Sequence, residues 1–261
     1  MDLEHRITSN VTVNMQARLG AIGFDIALGF QAIVVRESDP RWPNLKTVIE
    51  SFDCGNYARS VFNSADFAKA AVLVMGSSWH HGYPEPSGDN GYREATFDLS
   101  DFCPSCGVGL NQIRPFRLSK SPGWGNKSMF QLNWMFDEYF VKPEVWKGVF
   151  EPFGIGFREV VLNRTGAVLD TVVQLDICES VDADMEGRPF ELCTVCSRKK
   201  YEYVKIGLNP KPLSSFRGMS KSTQYVGSGA SANRLVMVSQ DLFARIKESG
   251  IKGIEFAPCA N

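Results

Sequence analysis

The chain has no marked excess of either charge and no long apolar segment. Its 28 basic and 29 acidic residues give a net charge of −1, which argues against a broad electrostatic surface for nucleic acid. Apolar runs such as residues 70–75 are too short to span a bilayer. The charged N-terminus is not followed by the apolar stretch of a secretory signal. We therefore expect a cytoplasmic protein that has no membrane partner and does not act mainly on nucleic acid.

The sequence also lacks the common catalytic signatures. It contains neither the HExxH motif of zinc proteases nor the lysine-containing phosphate loop. His80 and His81 lie in a loop rich in glycine and proline. Adjacent side chains on an extended backbone point to opposite sides, so one metal rarely binds both. We interpret them as packing or surface histidines, and a hydrolase that uses this loop stays open as an alternative.

Two further segments invite a phosphate-binding interpretation. The glycine-rich segment 225–232 lacks the strand–GxGxxG–helix context of a dinucleotide site, so we predict a turn-rich connection there. The triplet Arg198-Lys199-Lys200 is typical of a solvated face. It also keeps open a zinc-ribbon protein that binds nucleic acid.

An odd cysteine count excludes a complete disulfide framework. With no secretory signal to favour oxidation, seven cysteines are better read as metal ligands or buried thiols. We expect Cys54, Cys178 and Cys259 to be buried small hydrophobic residues. The other four form two CxxC pairs: Cys103, Cys106, Cys193 and Cys196.

Each CxxC pair places two thiolates on one tight turn, and two such turns supply the four sulfurs of a tetrahedral zinc shell. We predict one Zn²⁺ shared by both pairs. Two separate reduced pairs, or a redox-active pair, are the alternatives. A redox CxxC normally lies at the start of a helix, which lowers the thiol pKa, and neither pair precedes a convincing helical pattern. A closed four-sulfur shell leaves no position for substrate, so we assign no catalytic residue.

The pattern of elements predicts an α+β fold with an N-terminal α/β region at 1–93 and a duplicated double-CxxC region at 94–261. In the second region a strand, a CxxC turn, a helix and a strand follow one another twice. Val141 matches Val238, Trp146 matches Phe243, and the same offset pairs Gly156 with Gly253. We interpret the agreement as an internal duplication of knuckle, helix and strand units.

At these residues the chain resembles the bacterial double-CXXCG motif proteins. The resemblance rests on Cys103-Pro-Ser-Cys106-Gly107, on Cys193-Thr-Val-Cys196, and on the ending from Val238-Ser-Gln-Asp-Leu-Phe to Gly253-Ile-Glu-Phe-Ala-Pro258. It covers roughly residues 94–261. The second motif departs from the family pattern because Ser197 stands where the family has glycine.

The resemblance implies an immunity or accessory protein encoded with a polymorphic toxin. The leading hypothesis is therefore a cytoplasmic binding protein, not an enzyme, that neutralises a cognate protein toxin by covering it. In this hypothesis the zinc site is structural.

Overall fold

The computed structural model describes residues 1–261 and has the predicted α+β fold. The chain forms two compact units. The first comprises residues 1–69 with 204–208, and the second comprises residues 70–203 with 209–261. None of the helices combines the length and apolarity needed to cross a lipid bilayer.

The first unit alternates strands with helices. Its elements are β1 (Asp2–Val11), α1 (Val13–Ala21), β2 (Gly29–Arg36), α2 (Trp42–Glu50), β3 (Gly55–Val61) and α3 (Ser64–Lys69). Helix α1 begins after Thr12, whose side chain accepts a hydrogen bond from the Met15 backbone, as expected of an N-cap. Strand β1 lies between β2 and β3 and is antiparallel to both. Alternate strand residues such as Ile7 and Ile33 join Leu19 and Leu45 of the helices in one buried core.

The second unit contains the remaining elements. They are β4 (Val72–Ser77), α4 (Tyr92–Thr96), β5 (Phe97–Asp98), β6 (Asn111–Gln112), β7 (Phe116–Leu118), β8 (Met129–Leu132), β9 (Met135–Val141), α5 (Pro143–Val145), β10 (Gly156–Leu162), β11 (Val168–Asp176), β12 (Ser180–Val181), β13 (Phe190–Leu192), β14 (Lys199–Tyr201), β15 (Met219–Val226), β16 (Asn233–Ser239), α6 (Gln240–Glu248) and β17 (Ile254–Pro258). Helix α5 continues into a π-helical turn at Trp146–Phe150 and a 3-10 turn at Glu151–Phe153.

The larger sheet of the second unit explains where the units divide. Its path is β13-β14-β15-β16-β4-β17, with β12 beside β15. Strand β4 is antiparallel to both β16 and β17. Residues 70–93 therefore belong with the second unit, and the division falls after Lys69, not at residue 93 as the sequence suggested.

A five-stranded sheet runs β7-β10-β11-β9-β8. Strand β11 is antiparallel to β9 and to β10, as β4 is to β16 and β17. The helix–strand segments at 141–162 and 238–258 therefore have the same topology. Each follows a hairpin, β8-β9 in the first case and β15-β16 in the second. Each ends in a strand, β10 or β17, that is separated from its hairpin by one antiparallel strand, β11 or β4. The shared topology supports the internal duplication, which stays a prediction.

Candidate metal centre

Each CxxC pair lies at the end of a pair of short antiparallel strands. The first turn, residues 103–107 (knuckle 1), lies between β5 and β6, and the second, residues 193–197 (knuckle 2), lies between β13 and β14. Two-stranded ribbons of this kind present both thiols of a pair at one end.

The two knuckles share the same backbone hydrogen bonds. In knuckle 1 the Cys103 N–H donates to the Val108 carbonyl and the Gly107 N–H to the Cys103 carbonyl, both at 2.8 Å. In knuckle 2 the Cys193 N–H donates to the Arg198 carbonyl at 3.0 Å and the Ser197 N–H to the Cys193 carbonyl at 2.9 Å. The spacing CxxC therefore produces one turn type twice.

This turn ends in a left-handed residue, which explains the glycine of the motif. Gly107 has φ +81°, and a Cβ there would lie 2.3 Å from the Ala230 carbonyl oxygen. Ser197 has φ +58°. The serine thus adopts the conformation that glycine adopts more readily, and the departure from the motif leaves the turn intact.

The four sulfur atoms converge. The Cys103 and Cys193 sulfurs are 3.8 Å apart, and those of Cys106 and Cys196 are 3.6 Å apart. All four lie within 4.8 Å of one another. A tetrahedron with Zn–S bonds of about 2.3 Å has S···S edges of about 3.8 Å, so the cluster could hold a metal ion such as zinc.

The two knuckles differ in their electrostatic environment. Burial raises the pKa of the Cys106 thiol to about 12. The backbone N–H groups of Cys196 and Val195 instead lower the pKa of Cys193 to about 6. The Arg198 N–H likewise lowers the pKa of Cys196. Knuckle 2 therefore stabilises thiolate through N–H···S hydrogen bonds, the usual support of a cysteine ligand.

Two cations of the Arg198–Lys200 triplet belong to this centre. The Arg198 side chain hydrogen-bonds the Cys196 sulfur and pairs with Asp101 at 3.0 Å. Lys200 is 3% exposed, and its Nζ donates to the carbonyls of Cys106, at 3.0 Å, and Gly229. Only Lys199 of the three is exposed. The triplet is therefore not the solvated face that its composition indicates.

The glycine-rich segment connects β15 to β16 and packs on knuckle 1. The Ala230 carbonyl oxygen is the atom that a Cβ at position 107 would clash with. The Gly229 carbonyl accepts a hydrogen bond from Lys200. A Cβ at Gly227 would lie 2.2 Å from the Ser231 carbonyl oxygen. The connection is as predicted, but its role in supporting the knuckle is not visible in the sequence.

The adjacent histidines do not converge. His80 is exposed and lies edge-on to Phe136, with ring centroids 5.7 Å apart. His81 is half-buried against Trp79 and Phe130, and burial lowers its pKa. They occupy different surroundings, as their adjacency predicts.

The remaining cysteines do not join the cluster. Cys259 is buried, and burial raises its pKa to about 12. Cys54 is half-buried, whereas Cys178 is exposed. The expectation of burial is therefore wrong for Cys178, which lies just beyond the end of β11.

Comparison with models of known protein families gave no match, and comparison with curated proteins gave none either.

Proposed function

We propose that the chain is an immunity-type binding protein of the bacterial cytoplasm, which neutralises a cognate protein toxin by covering it. A structural Zn²⁺ is held by Cys103, Cys106, Cys193 and Cys196. The observation that carries the zinc assignment is the convergence of four sulfurs within 4.8 Å. The toxin assignment rests on the resemblance to the double-CXXCG motif proteins.

The donor set fits zinc. Four thiolates suit a soft or borderline ion in tetrahedral geometry and do not suit calcium or magnesium, which prefer oxygen. Reduced cysteines persist in the cytoplasm. When bound, the metal supplies a cross-link between two knuckles that are far apart in sequence. Four protein ligands complete its shell, which favours a structural role.

The surroundings also suit a metal–thiolate centre. Four thiolates around a divalent ion leave a net negative charge, and Arg198 and Lys200 place positive charge beside it. Both cations have further partners that fix their positions. Such supporting residues orient the ligands and tune metal affinity.

Two measurements test the proposal. Elemental analysis of protein purified without chelator should give about one zinc per chain. Co-expression with the product of the neighbouring gene should abolish that product's toxicity and yield a complex that survives gel filtration. Absence of metal would contradict the zinc assignment. A toxic neighbour that is neither bound nor neutralised would contradict the immunity assignment.

Neither alternative function gains a specific observation. A hydrolase would need the histidines to face a common substrate, and they lie in different surroundings. A zinc-ribbon nucleic-acid binder would need the basic triplet at the surface, and two of its members contact the knuckles.

A further inference from the structure

The second unit presents an exposed aromatic patch, which we define as Tyr83, Trp134, Phe136 and Tyr203. Each is between 40% and 47% exposed. The Tyr83 and Trp134 ring centroids are 4.4 Å apart. Phe136 is the second residue of β9. Its N–H donates to the Asn233 side chain, whose amide group in turn donates to the Tyr203 hydroxyl. Tyr83 and Trp134 are thus in direct contact, and Asn233 bridges Phe136 and Tyr203.

Trp134 occupies a backbone conformation that its residue type disfavours. It is the second central residue of the two-residue turn between β8 and β9, closed by the pair Leu132 and Met135. Its φ is +71°. Glycine or asparagine is favoured at such a position, and a bulky residue with positive φ is an outlier. A bulky residue in this conformation has an energetic cost, and residues held in sparsely populated conformations cluster at functional sites.

The turn is held in place by its neighbours. The Asn133 N–H donates to the Gly82 carbonyl at 2.8 Å, which fixes the loop that carries Tyr83. On its other side Trp134 stacks on buried Tyr92, with centroids 5.7 Å apart and planes inclined by 27°. The indole is therefore preorganised, so little entropy is lost when a partner covers it.

A cavity of about 230 Å³ adjoins this tryptophan and is also lined by Arg93. The Arg93 guanidinium lies over the rings of Tyr92 and Phe102, 5.7 and 5.1 Å from their centroids. Its Nε donates to the Tyr92 hydroxyl at 3.3 Å. No carboxylate of the chain forms an ion pair with it. A half-buried guanidinium held in this way is suited to an incoming carboxylate.

We propose that the aromatic patch and Arg93 form the docking surface for a partner protein, which places an apolar side chain against Trp134 and a carboxylate against Arg93. The inference rests on the proposed function and names the surface through which it acts. Tryptophan, tyrosine and arginine are the residues most enriched in binding hot spots. The chain has a net charge of −1 and so offers no broad basic surface for a phosphate backbone, which favours a protein as the occupant.

The test uses the full chain and the purified product of the neighbouring gene as the probe. Trp134→Gly removes the indole and places glycine, the favoured residue, at this turn position. Tyr83→Ala removes an aromatic ring of the patch while leaving the turn sequence unchanged. Phe190→Ala is the matched control, because Phe190 is 48% exposed and lies outside the patch. Each variant is first shown by circular dichroism and gel filtration to be folded.

Support would be a rise in Kd of about 30-fold or more for Trp134→Gly and Tyr83→Ala, with Phe190→Ala unchanged. Arg93→Gln should also weaken binding, and Arg93→Lys should restore part of it. If both patch variants bind the probe with a Kd within threefold of the wild type, this surface is not the docking site, and the proposed function still stands. A wild-type protein that does not bind the probe would overturn the proposed function and this inference with it. Binding of a labelled single-stranded RNA that Trp134→Gly abolishes would assign the surface to nucleic acid and overturn the proposal of a protein partner.

Discussion

Replacing Lys200 by methionine tests whether the buried cation stabilises the cysteine cluster. Methionine has a similar length and is apolar, so the change removes charge and hydrogen bonds more than volume. The carbonyls of Cys106 and Gly229 lose the donor that they now share. An unsatisfied buried acceptor costs about 1–3 kcal/mol, and hydrogen bonds to charged groups contribute about 1.5–3 kcal/mol.

The removal of a buried charge offsets part of this loss, because burying an ammonium group is itself unfavourable. We therefore expect Lys200→Met to lower the free energy of unfolding by about 2–4 kcal/mol, measured by urea denaturation of the zinc-loaded protein. Removing a group that supports metal ligands typically weakens metal affinity by about 10–100-fold. A competing chelator should accordingly extract the metal from this variant more readily.

Lys199→Met is the matched control. Lys199 is the preceding residue on the same strand, but it is exposed, and its Nζ lies over the Phe190 ring, 4.6 Å from the ring centroid. Its loss should change the free energy of unfolding by about 0.5 kcal/mol or less. If Lys200→Met matched this control in both stability and zinc retention, the supporting role of the buried cation would be refuted.

Three other predictions follow from the same geometry. Changing any one of the four clustered cysteines to serine should lower zinc content and thermal stability together, because metal binding is linked to folding, whereas Cys178→Ser should change neither. Gly107→Ala should lower the free energy of unfolding by more than about 2 kcal/mol, since it adds a backbone clash to the cost of positive φ. Ser197→Gly, at the equivalent position of knuckle 2, should be tolerated. If denaturation experiments gave the two variants the same loss of stability, the prediction would be wrong. Burial lowers the pKa of His81 in the folded chain. As the pH decreases, the unfolded chain therefore takes up the proton first, and the free energy of unfolding falls as pH decreases through about 6.5. His81→Gln should weaken this dependence of stability on pH, and a variant with the same pH profile as the wild type would contradict the prediction.

The cysteine cluster could be predicted because its information is local. The spacing of Cys103 to Cys106, and of Cys193 to Cys196, sets the turn, and the identity of the side chains sets the chemistry. The supporting groups could not be predicted in this way. The burial of Lys200 depends on a carbonyl of knuckle 1 and another in the loop before β16, and neither contact is encoded near the lysine in the sequence.

The limits of the units were harder to predict for a similar reason. Strand β4 has an apolar pattern that indicates a buried strand, but its partners are β16 and β17. Pairing between segments so distant in sequence leaves no periodic signal in either. The sequence instead placed the boundary at residue 93, after the loop rich in glycine and proline that follows β4. In the structure that position lies within α4. The conformation of Trp134 was likewise hidden, because its residue type argues against the turn position that it occupies.

The contacts of the second unit relate the metal centre to the predicted duplication. The offset that matches Val141 with Val238 also separates four pairs of residues that hydrogen-bond each other, all with a sequence separation of 97. One of them is Asp101 with Arg198, beside the cysteine cluster. The others are Phe136 with Asn233, Asp137 with Arg234, and Gly148 with Arg245.

The clustered sulfurs also meet as corresponding pairs, each with a separation of 90. Residues that contact their own counterparts lie near a twofold axis. A duplicated chain folded about such an axis would bring its two knuckles together whatever the length of chain between them. Each half would contribute two of the four sulfurs, and neither half could complete the site alone.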